Sequence, residues 1–211
     1  MCGIVGYTPL TADYDRITRA DAFQRLFDES CIRGLHAYGI SHLKSSLWTY
    51  RTFDAKEIPY YFEGDRPTIA HARYCQSGDW HVLENNQPIV VGQTALAFNG
   101  CIHMGTKEEF EAAFDVRCET DNDGEIFLCK TADAVDAEEF VRKASGFVET
   151  ISGSFAGVCL AFGQLIVSHN ARRPLWRCEA HGARWYASTA DIFRRAGFTG
   201  ATPVAVGTEM A

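Results

Sequence analysis

The chain has 211 residues, of which 46% are apolar, and a formal net charge of −7. This length suits one globular domain over residues 1–211, with a core large enough to need no disulfide or metal staple. The acidic balance excludes broad binding to a nucleic-acid backbone, which requires basic patches. The chain has neither a run of ~20 apolar residues, which a membrane span needs, nor a basic signal-peptide start. A soluble, cytoplasmic protein with no membrane partner is expected.

The cysteines form no C-x-x-C pair, which predicts mostly free thiols in a reducing compartment. Their positions are scattered: Cys2, Cys31, Cys75, Cys101, Cys118, Cys129, Cys159 and Cys178. The histidines at His71, His81 and His103 fit no compact ligand spacing either. Because there is also no P-loop or glycine-rich dinucleotide motif, the sequence predicts neither a metal nor a cofactor.

The first predicted elements are a strand and a helix. Residues 3–7 (GIVGY) are bounded by Gly6 and Pro9, as is typical of a strand. Residues 19–32 carry apolar side chains on one helical face. Thr18 and Asp21 predict the helix start, and Gly34 predicts its end.

The rest of the chain alternates blocks of strands with blocks of helices. Short β-branched or aromatic runs predict strands at 38–43, 46–53, 67–74 and 94–98. Helices are predicted at 107–114, 123–131 and 137–148, followed by a hairpin of 154–161 and 164–169 that turns at Gly163. A strand at 183–188, a helix at 190–196 and a strand at 202–206 follow. This order lacks regular βαβ alternation, so it predicts an α+β fold with antiparallel sheets and helices outside them.

Cys2 directly follows the initiator Met1. Removal of Met1 would leave a thiol and a free α-amine on one residue, with reference pKa values near 8.5 and 8. Such an amine can act as the general base for its own thiol, in the variant of triad chemistry that uses a chain terminus. A cysteine at this position is, however, more often a small apolar residue that opens a strand.

Other residues offer the remaining parts of an acyl-transfer site. Asn99 and Gly100 follow a strand and could donate to a developing oxyanion. Arg73 could hold a substrate carboxylate in a bidentate pair. Asp121 or Asp123, before a helix start, could hold a substrate amine. Each has a simpler explanation, since Asn-Gly is common in hairpin turns and Asp is common at helix caps.

In order, these segments resemble the class II glutamine amidotransferases over nearly the whole chain. The matching motifs are Cys2-Gly3-Ile4-Val5-Gly6, Arg33-Gly34 with Gly39, Ala70-His71-Ala72-Arg73-Tyr74, Asn85-Asn86-Gln87-Pro88, Phe98-Asn99-Gly100-Cys101-Ile102, Asp123-Gly124-Glu125, Asn170-Ala171-Arg172-Arg173-Pro174-Leu175 and Ala187-Ser188. The resemblance implies a four-layer αββα sandwich, the N-terminal-nucleophile hydrolase fold.

The resemblance also implies roles for individual residues. Cys2 would attack the side-chain amide of glutamine and form a γ-glutamyl thioester, and water would then release glutamate. Asn99 and Gly100 would form the oxyanion hole. The substrate-binding set implied by the resemblance comprises Arg73 for the α-carboxylate, Asp123 for the α-amine, Arg33 as a supporting residue, and Tyr74 and Gln76 in the glutamine pocket.

The chain departs from the family pattern at four points. His36 replaces the usual aspartate of R-G-x-D, which predicts changed local hydrogen bonding and retained chemistry. Cys75 to Gly78 replace the common A-T-H-G, so the glutamine pocket is expected to differ there. The D-x-E register leaves Asp121 as an alternative to Asp123. Met1, if retained, would block the amine.

Two alternative functions and one partner remain. An amidohydrolase for γ-glutamyl peptides or conjugates would use the same Arg73 and Asp123, and a non-catalytic binding module could retain the fold. The chain ends at Ala211, where the glutaminase domain is expected to end. A separate ammonia-accepting synthase is therefore expected as a partner. The acceptor itself and the oligomeric state are not encoded in any motif.

Overall fold

The computed structural model describes residues 1–43 and 45–211. Its strands are β1 Gly3–Pro9, β2 Ala37–Leu43, β3 Leu47–Thr52, β4 Thr68–Arg73, β5 Ile89–Val91, β6 Thr94–Cys101, β7 Ser154–Ala161, β8 Gln164–His169, β9 Trp176–Ala180, β10 Ala183–Ala187, β11 Thr202–Pro203 and β12 Gly207–Met210. Its α-helices are α1 Arg16–Cys31, α2 Lys107–Phe114, α3 Glu125–Thr131, α4 Ala137–Thr150 and α5 Ala190–Arg195, and 3-10 helices span Ala55–Tyr61 and Leu83–Asn85.

The strands form two antiparallel sheets. One sheet has the order β11-β9-β10-β1-β4-β2-β3, and the other has the order β12-β8-β7-β6-β5. The predicted α+β class with two antiparallel sheets is therefore confirmed. The chain-terminal strand β1 lies centrally, between β10 and β4, with Gly3 opposite Ala72. This position buries the start of the chain next to the end of β4.

Side-chain alternation along the strands divides the interior into three apolar layers. Ile4 and Val158 face the space between the two sheets, whereas Val5 faces the helical layer that contains α1 and α5. On the other side, Phe155 of β7 packs with the aromatic side chains of α3 and α4. A period of two puts neighbouring residues on opposite faces, so each sheet is covered on both sides and the layers are αββα, as predicted.

The predicted helix 19–32 begins earlier than expected. Asp15 caps α1 by accepting from the N–H groups of Ile17 and Thr18, so the helix starts at Arg16 and neither Thr18 nor Asp21 is its cap. Gly34 also does not end the helix through a left-handed backbone. A Cβ at Gly34 would lie 2.2 Å from the Ala72 carbonyl oxygen, so glycine is needed there for close approach to β4.

Other boundaries differ at the short elements. The predicted strand 202–206 is replaced by the two-residue β11 and by β12 further on, and β5 and β9 were not predicted. The predicted hairpin of β7 and β8 turns at Gly163 with φ +78°. The predicted helix 107–114 is present as α2, and Thr106 and Glu109 form a capping box at its start. Over residues 1–43 and 45–211, no helix combines the length and apolarity needed to cross a bilayer.

Candidate active site

Cys2 lies just before β1 and is 7% exposed. Its thiol contacts the backbone at the end of β4, with Sγ 3.4 Å from both the N–H and the carbonyl oxygen of Tyr74. This contact follows from the pairing of Gly3 with Ala72, because the antiparallel register puts the start of β1 beside the end of β4. The thiol is thus fixed in place by the sheet itself.

The main chain of Cys2 is held on both sides. Its N–H donates to Asn99 Oδ1 at 3.2 Å, so the nitrogen that would become the free amine is tied to β6 of the opposite sheet. Its carbonyl oxygen accepts from Arg33 Nε at 3.0 Å and from Ser188 Oγ at 3.3 Å. Arg33 therefore contacts the backbone of the candidate nucleophile, and its supporting role stays a prediction.

Asn99 has one free donor. Its Oδ1 accepts from Cys2, and within residues 1–43 and 45–211 no atom accepts a hydrogen bond from its Nδ2. Asn99 is 2% exposed, and it lies on the strand that faces the Cys2 backbone. Its Nδ2 is not among the fully enclosed side-chain atoms, so this N–H₂ is available to an oxygen that enters the site from outside.

The N–H of Gly100 lies on the edge of β6 that faces away from β7. Gly100 lies opposite Phe155 of β7. The Phe155 N–H donates to Asn170 Oδ1, and the Phe155 carbonyl oxygen accepts from the Asn170 N–H, just after β8. Because both main-chain groups of Phe155 point away from β6, this is a non-hydrogen-bonded pair, and the Gly100 N–H points away from β7. The N–H groups of Phe98 and Ile102 point the same way and reach the side chains of Gln87 and Asp123. Within the described ranges, no side chain accepts from the Gly100 N–H that lies between them.

Glycine is required at this position by space. A Cβ at Gly100 would lie 2.0 Å from the Ser154 carbonyl oxygen and 2.7 Å from the ring of Phe98. Real Cβ atoms do not approach backbone oxygens so closely, so any side chain would displace β6. The structure thus brings Cys2, Asn99 and Gly100 together: Asn99 holds the Cys2 nitrogen, and Cys2 and Gly100 line the same small space.

The electrostatic setting of the thiol is mixed. Burial raises the pKa of the Cys2 thiol, and the Tyr74 N–H, the chain-terminal ammonium, Arg73 and Arg33 oppose that rise. Burial disfavours a thiolate, whereas nearby donors and cations favour it. A neighbouring base that accepts the thiol proton during attack would avoid the cost of forming a free thiolate first.

Met1 lies outside the site, between two arginines. Its side chain is exposed, and its sulfur is 3.6 Å from Arg33 Nη2 and 3.3 Å from Arg173 Nη1. Within the described residues neither arginine forms a salt bridge with a carboxylate. Two uncompensated cations therefore converge beside the bond that joins Met1 to Cys2.

Arg73 is buried, and its guanidinium is held by the protein. It donates to the Asn85 carbonyl oxygen at 2.6 Å, to the Asn86 side-chain oxygen, and to the carbonyl oxygens of Ser77 and Gly78. The predicted carboxylate-binding residue thus fixes the loop at residues 75–86 in this structure. A substrate carboxylate would have to displace some of these carbonyls.

Asp123, and not Asp121, faces the site. Asp123 is 2% exposed; its Oδ2 accepts from the Ile102 and His103 N–H groups, and its Oδ1 accepts from Ser77 Oγ at 2.7 Å. Asp121 is exposed and its backbone is anchored to Asn85. Of the two alternatives that the sequence left open, only Asp123 lies against the space beside Cys2.

The space enclosed by these groups is small. It measures ≈ 10 Å³ and is lined by Cys2, Arg73, Tyr74, Gln76, Ser77, Gln87, Phe98, Gly100, Asn122 and Asp123. This volume holds about one water molecule. Larger surface cavities lie elsewhere, such as one of ≈ 500 Å³ between α2 and α4 that contains no cysteine or histidine. The site is therefore defined by its chemistry. A ligand larger than water would need more space, and part of the lining comes from Gln76 and Ser77 of the residue 75–78 segment.

His36, which replaces the usual aspartate of the family pattern, contacts the segment at the end of β4. Its Nδ1 accepts from the Cys75 N–H at 2.9 Å, and its ring stacks on Tyr74 and Trp80 with centroids 5.1 Å away from each. An aspartate there could accept the same N–H. His36 therefore provides a hydrogen-bond acceptor at this position and adds a ring that stacks on two aromatic neighbours at the site edge.

Two lining residues lie outside the predicted set of site residues. Ser77 bridges Arg73 and Asp123, and Gln87 Oε1 accepts from the Phe98 N–H at 2.5 Å. The Gln87–Pro88 peptide bond is cis. Both residues lie in segments that the motif comparison already marked, but their contacts depend on how the loops fold.

Comparison with solved structures places this fold among known proteins. A glutamine phosphoribosylpyrophosphate amidotransferase from B. subtilis, complexed with ADP and GMP, matches all of the chain at TM-score 0.67 and 17% identity. A protein described as the allosteric regulatory enzyme of purine biosynthesis matches 96% at TM-score 0.70 and 19% identity. The chain spans only 49% and 44% of the length of these two proteins.

A third match is similar in length to the chain. A glutamine aminotransferase class-II domain protein from Silicibacter pomeroyi aligns over 100% of this chain and 98% of its own, at TM-score 0.55 and 10% identity. No protein-family model and no curated protein sequence matches the chain. The resemblance predicted from the motifs is confirmed at the level of fold: the chain has the N-terminal-nucleophile fold of class II glutamine amidotransferases.

Proposed function

We propose that this chain hydrolyses the side-chain amide of glutamine, with Cys2 as the nucleophile once Met1 has been removed. The observation that carries the proposal is the arrangement at Cys2. Its main-chain nitrogen donates to Asn99 Oδ1, and Asn99 Nδ2 and the Gly100 N–H, on consecutive residues of β6, are unused donors. Cys2 and Gly100 line the same small space. A nucleophile, an adjacent amine and a pair of oxyanion donors are what acyl transfer requires.

In the proposed reaction, Cys2 Sγ attacks the amide carbon and the α-amine of Cys2 takes the thiol proton. The carbonyl oxygen gains negative charge between Asn99 Nδ2 and the Gly100 N–H. As the C–N bond breaks, the amine gives its proton to the leaving nitrogen, which departs as ammonia. Water, activated by the same amine, then hydrolyses the thioester and releases glutamate. Arg33 keeps the Cys2 carbonyl fixed throughout.

Arg73 and Asp123 are proposed to bind the α-carboxylate and α-amine of glutamine. They carry opposite charges, both line the space beside Cys2, and both contact Ser77. Tyr74 contributes its backbone to the thiol, and Gln76, exposed at the rim, can reach a ligand once the segment moves. This pair would also fit a γ-glutamyl peptide, so the assay must include one.

The deciding experiment uses protein whose mass shows that Met1 is absent. Glutamate and ammonia release is measured for wild type, Cys2→Ala and the control Cys31→Ala, whose half-buried thiol lies in α1. We expect Cys2→Ala to abolish turnover and Cys31→Ala to leave it unchanged. Equal activity in wild type and Cys2→Ala would refute the mechanism. Faster turnover of γ-glutamyl dipeptides than of glutamine would reassign the substrate.

The ammonia is proposed to pass to a separate synthase protein. Support comes from exposed apolar side chains near the site edge: Leu35 and Tyr74 are 70% and 47% exposed, and Phe53, 50% exposed, packs its ring 6.0 Å from Trp80. Exposed apolar clusters are typical of protein interfaces. Chromatography of cell extract over wild type and a Leu35→Asp, Phe53→Asp variant tests this. A synthase retained equally by both would contradict the surface assignment.

A further inference from the structure

Two cysteines and a glutamate outside the active site converge on one point. Cys118 follows α2, and Cys129 and Glu125 lie one turn apart on α3. The two sulfur atoms are 3.8 Å apart, and a carboxylate oxygen of Glu125 lies within 4.8 Å of each of them. The spacing of eleven residues between the cysteines carries no ligand motif, so only the fold reveals this cluster.

The distance between the sulfurs matches a shared cation. Two thiolates bound to one tetrahedral Zn²⁺ at about 2.3 Å lie about 3.8 Å from each other. A disulfide would require about 2.05 Å. Glu125, four residues before Cys129, lies on the same helical face and can supply a third ligand.

The Glu125 carboxylate is already oriented by the protein. It accepts from the Glu119 N–H at 2.7 Å and from the N–H and hydroxyl of Thr120 at 2.8 and 2.6 Å. A carboxylate offers about four lone-pair positions, so one remains. Hydrogen bonds of this kind fix the direction of ligating carboxylates in metal sites.

The cluster concentrates negative groups. Cys118 N–H donates to Glu111 at 2.7 Å, which puts a second carboxylate next to the thiols. Glu111 and Glu125 thus place two carboxylates beside the sulfur atoms. Their negative charge would attract a divalent cation, and a cation bound there would favour the thiolate form of both cysteines.

We propose that Cys118, Cys129 and Glu125 bind one thiophilic divalent cation of the Zn²⁺ class, with water completing a tetrahedral set. The site is structural. It joins the residue 117–120 segment to α3, and the next residues lead directly to Asp123 at the candidate active site. The proposal does not depend on the glutaminase reaction.

The test titrates reduced, chelator-treated full chain with Zn²⁺ and measures bound metal after gel filtration. We expect one equivalent for wild type and for the control Cys31→Ser, Cys101→Ser, and none for Cys118→Ser, Cys129→Ser. Zn²⁺ should raise the Tm of wild type and the control only. Glu125→Gln should weaken binding at least about tenfold, as expected for losing a ligand or its support.

Three outcomes would overturn the proposal. Equal Zn²⁺ retention by the Cys118→Ser, Cys129→Ser variant would show that other groups bind the metal. Absence of Zn²⁺ binding by reduced wild type would remove the site altogether. A Cys118–Cys129 disulfide formed in air by a chain that binds no Zn²⁺ when reduced would identify a thiol pair instead.

Discussion

Replacing Asn99 by aspartate tests the oxyanion hole with little change in shape. The Cys2 N–H donates to Asn99 Oδ1 at 3.2 Å, and the aspartate keeps an oxygen that can accept this hydrogen bond. It replaces the unused Nδ2 donor by an oxygen that repels an oxyanion. The Gly100 N–H remains, so one of two donors is lost.

Losing one such donor typically reduces kcat by about 10²–10³, or about 2.7–4 kcal/mol of transition-state stabilisation. We therefore expect Asn99→Asp to lower kcat by at least 10²-fold with a small change in KM, because the donor acts on charge that develops only in the transition state. Asn99→Ala should lower kcat and also destabilise the fold by about 1–3 kcal/mol, because a buried polar partner is lost.

The assay measures glutamate release over a range of glutamine concentrations, with urea unfolding as a check on stability. A kcat for Asn99→Asp within tenfold of wild type, in a variant as stable as wild type, would refute the role of Nδ2. A large rise in KM at constant kcat would instead assign Asn99 to substrate binding.

Three further outcomes are expected. A chain shown by mass to retain Met1 should release no glutamate, because the base would be an amide; activity comparable to processed protein would contradict the amine mechanism. Burial, and then Arg33 and Arg173, lower the pKa of the Met1 ammonium. We expect Arg173 to act in the same way on the Cys2 amine that processing creates, so Arg173→Gln should raise the pKa of that amine and shift the acidic limb of the kcat–pH profile to higher pH. An unshifted limb would exclude this cation. Burial lowers the pKa of His71 to about 3. Between about pH 6.5 and 3, the His71 ring is therefore protonated in the unfolded chain and neutral in the folded chain. The free energy of unfolding should fall by up to about 1.4 kcal/mol per pH unit as the pH drops through this window. Urea unfolding at several pH values should show a shallower dependence for His71→Gln, and an equal slope would exclude His71 as the cause.

The sequence predicted the long elements because their patterns arise from local physics. The hairpin of β7 and β8 and the capping box of α2 depend on neighbours in the chain, and both are present. The start of α1 was missed because Asp15 caps it through ordinary side-chain contacts that Thr18 could also have made. β5 is only three residues long, too short for a periodic pattern to identify, whereas β9 was missed although the equally short β10 was predicted.

The order of the motifs in the sequence was enough to predict which residues form the candidate site, but not all of their contacts. Cys2, Asn99 and Gly100 meet because β1 and β6 lie in facing sheets, which the αββα order implied. The occupation of Arg73 by loop carbonyls was not predictable, since it depends on the path of residues 75–86. The approach of Cys118 to Cys129 likewise requires the packing of α3 against the segment after α2.

Ser77 offers a final test, because it occupies both groups proposed for substrate binding. Its hydroxyl donates to Asp123 Oδ1 at 2.7 Å and its carbonyl accepts from Arg73, in a space of only ≈ 10 Å³. Glutamine must replace these contacts, so the hydroxyl competes with the substrate amine for one oxygen. A net hydrogen bond contributes about 0.5–1.5 kcal/mol.

We therefore expect Ser77→Ala to lower the KM for glutamine by about 2- to 10-fold with kcat unchanged, the range that follows from that energy. Ser145→Ala, a change of the same kind in α4, should leave both constants as in wild type. If KM rises instead, the Ser77 hydroxyl contacts bound glutamine and does not compete with it. An unchanged KM would mean that the segment opens without breaking the bond to Asp123, and that Asp123 does not receive the substrate amine at this oxygen.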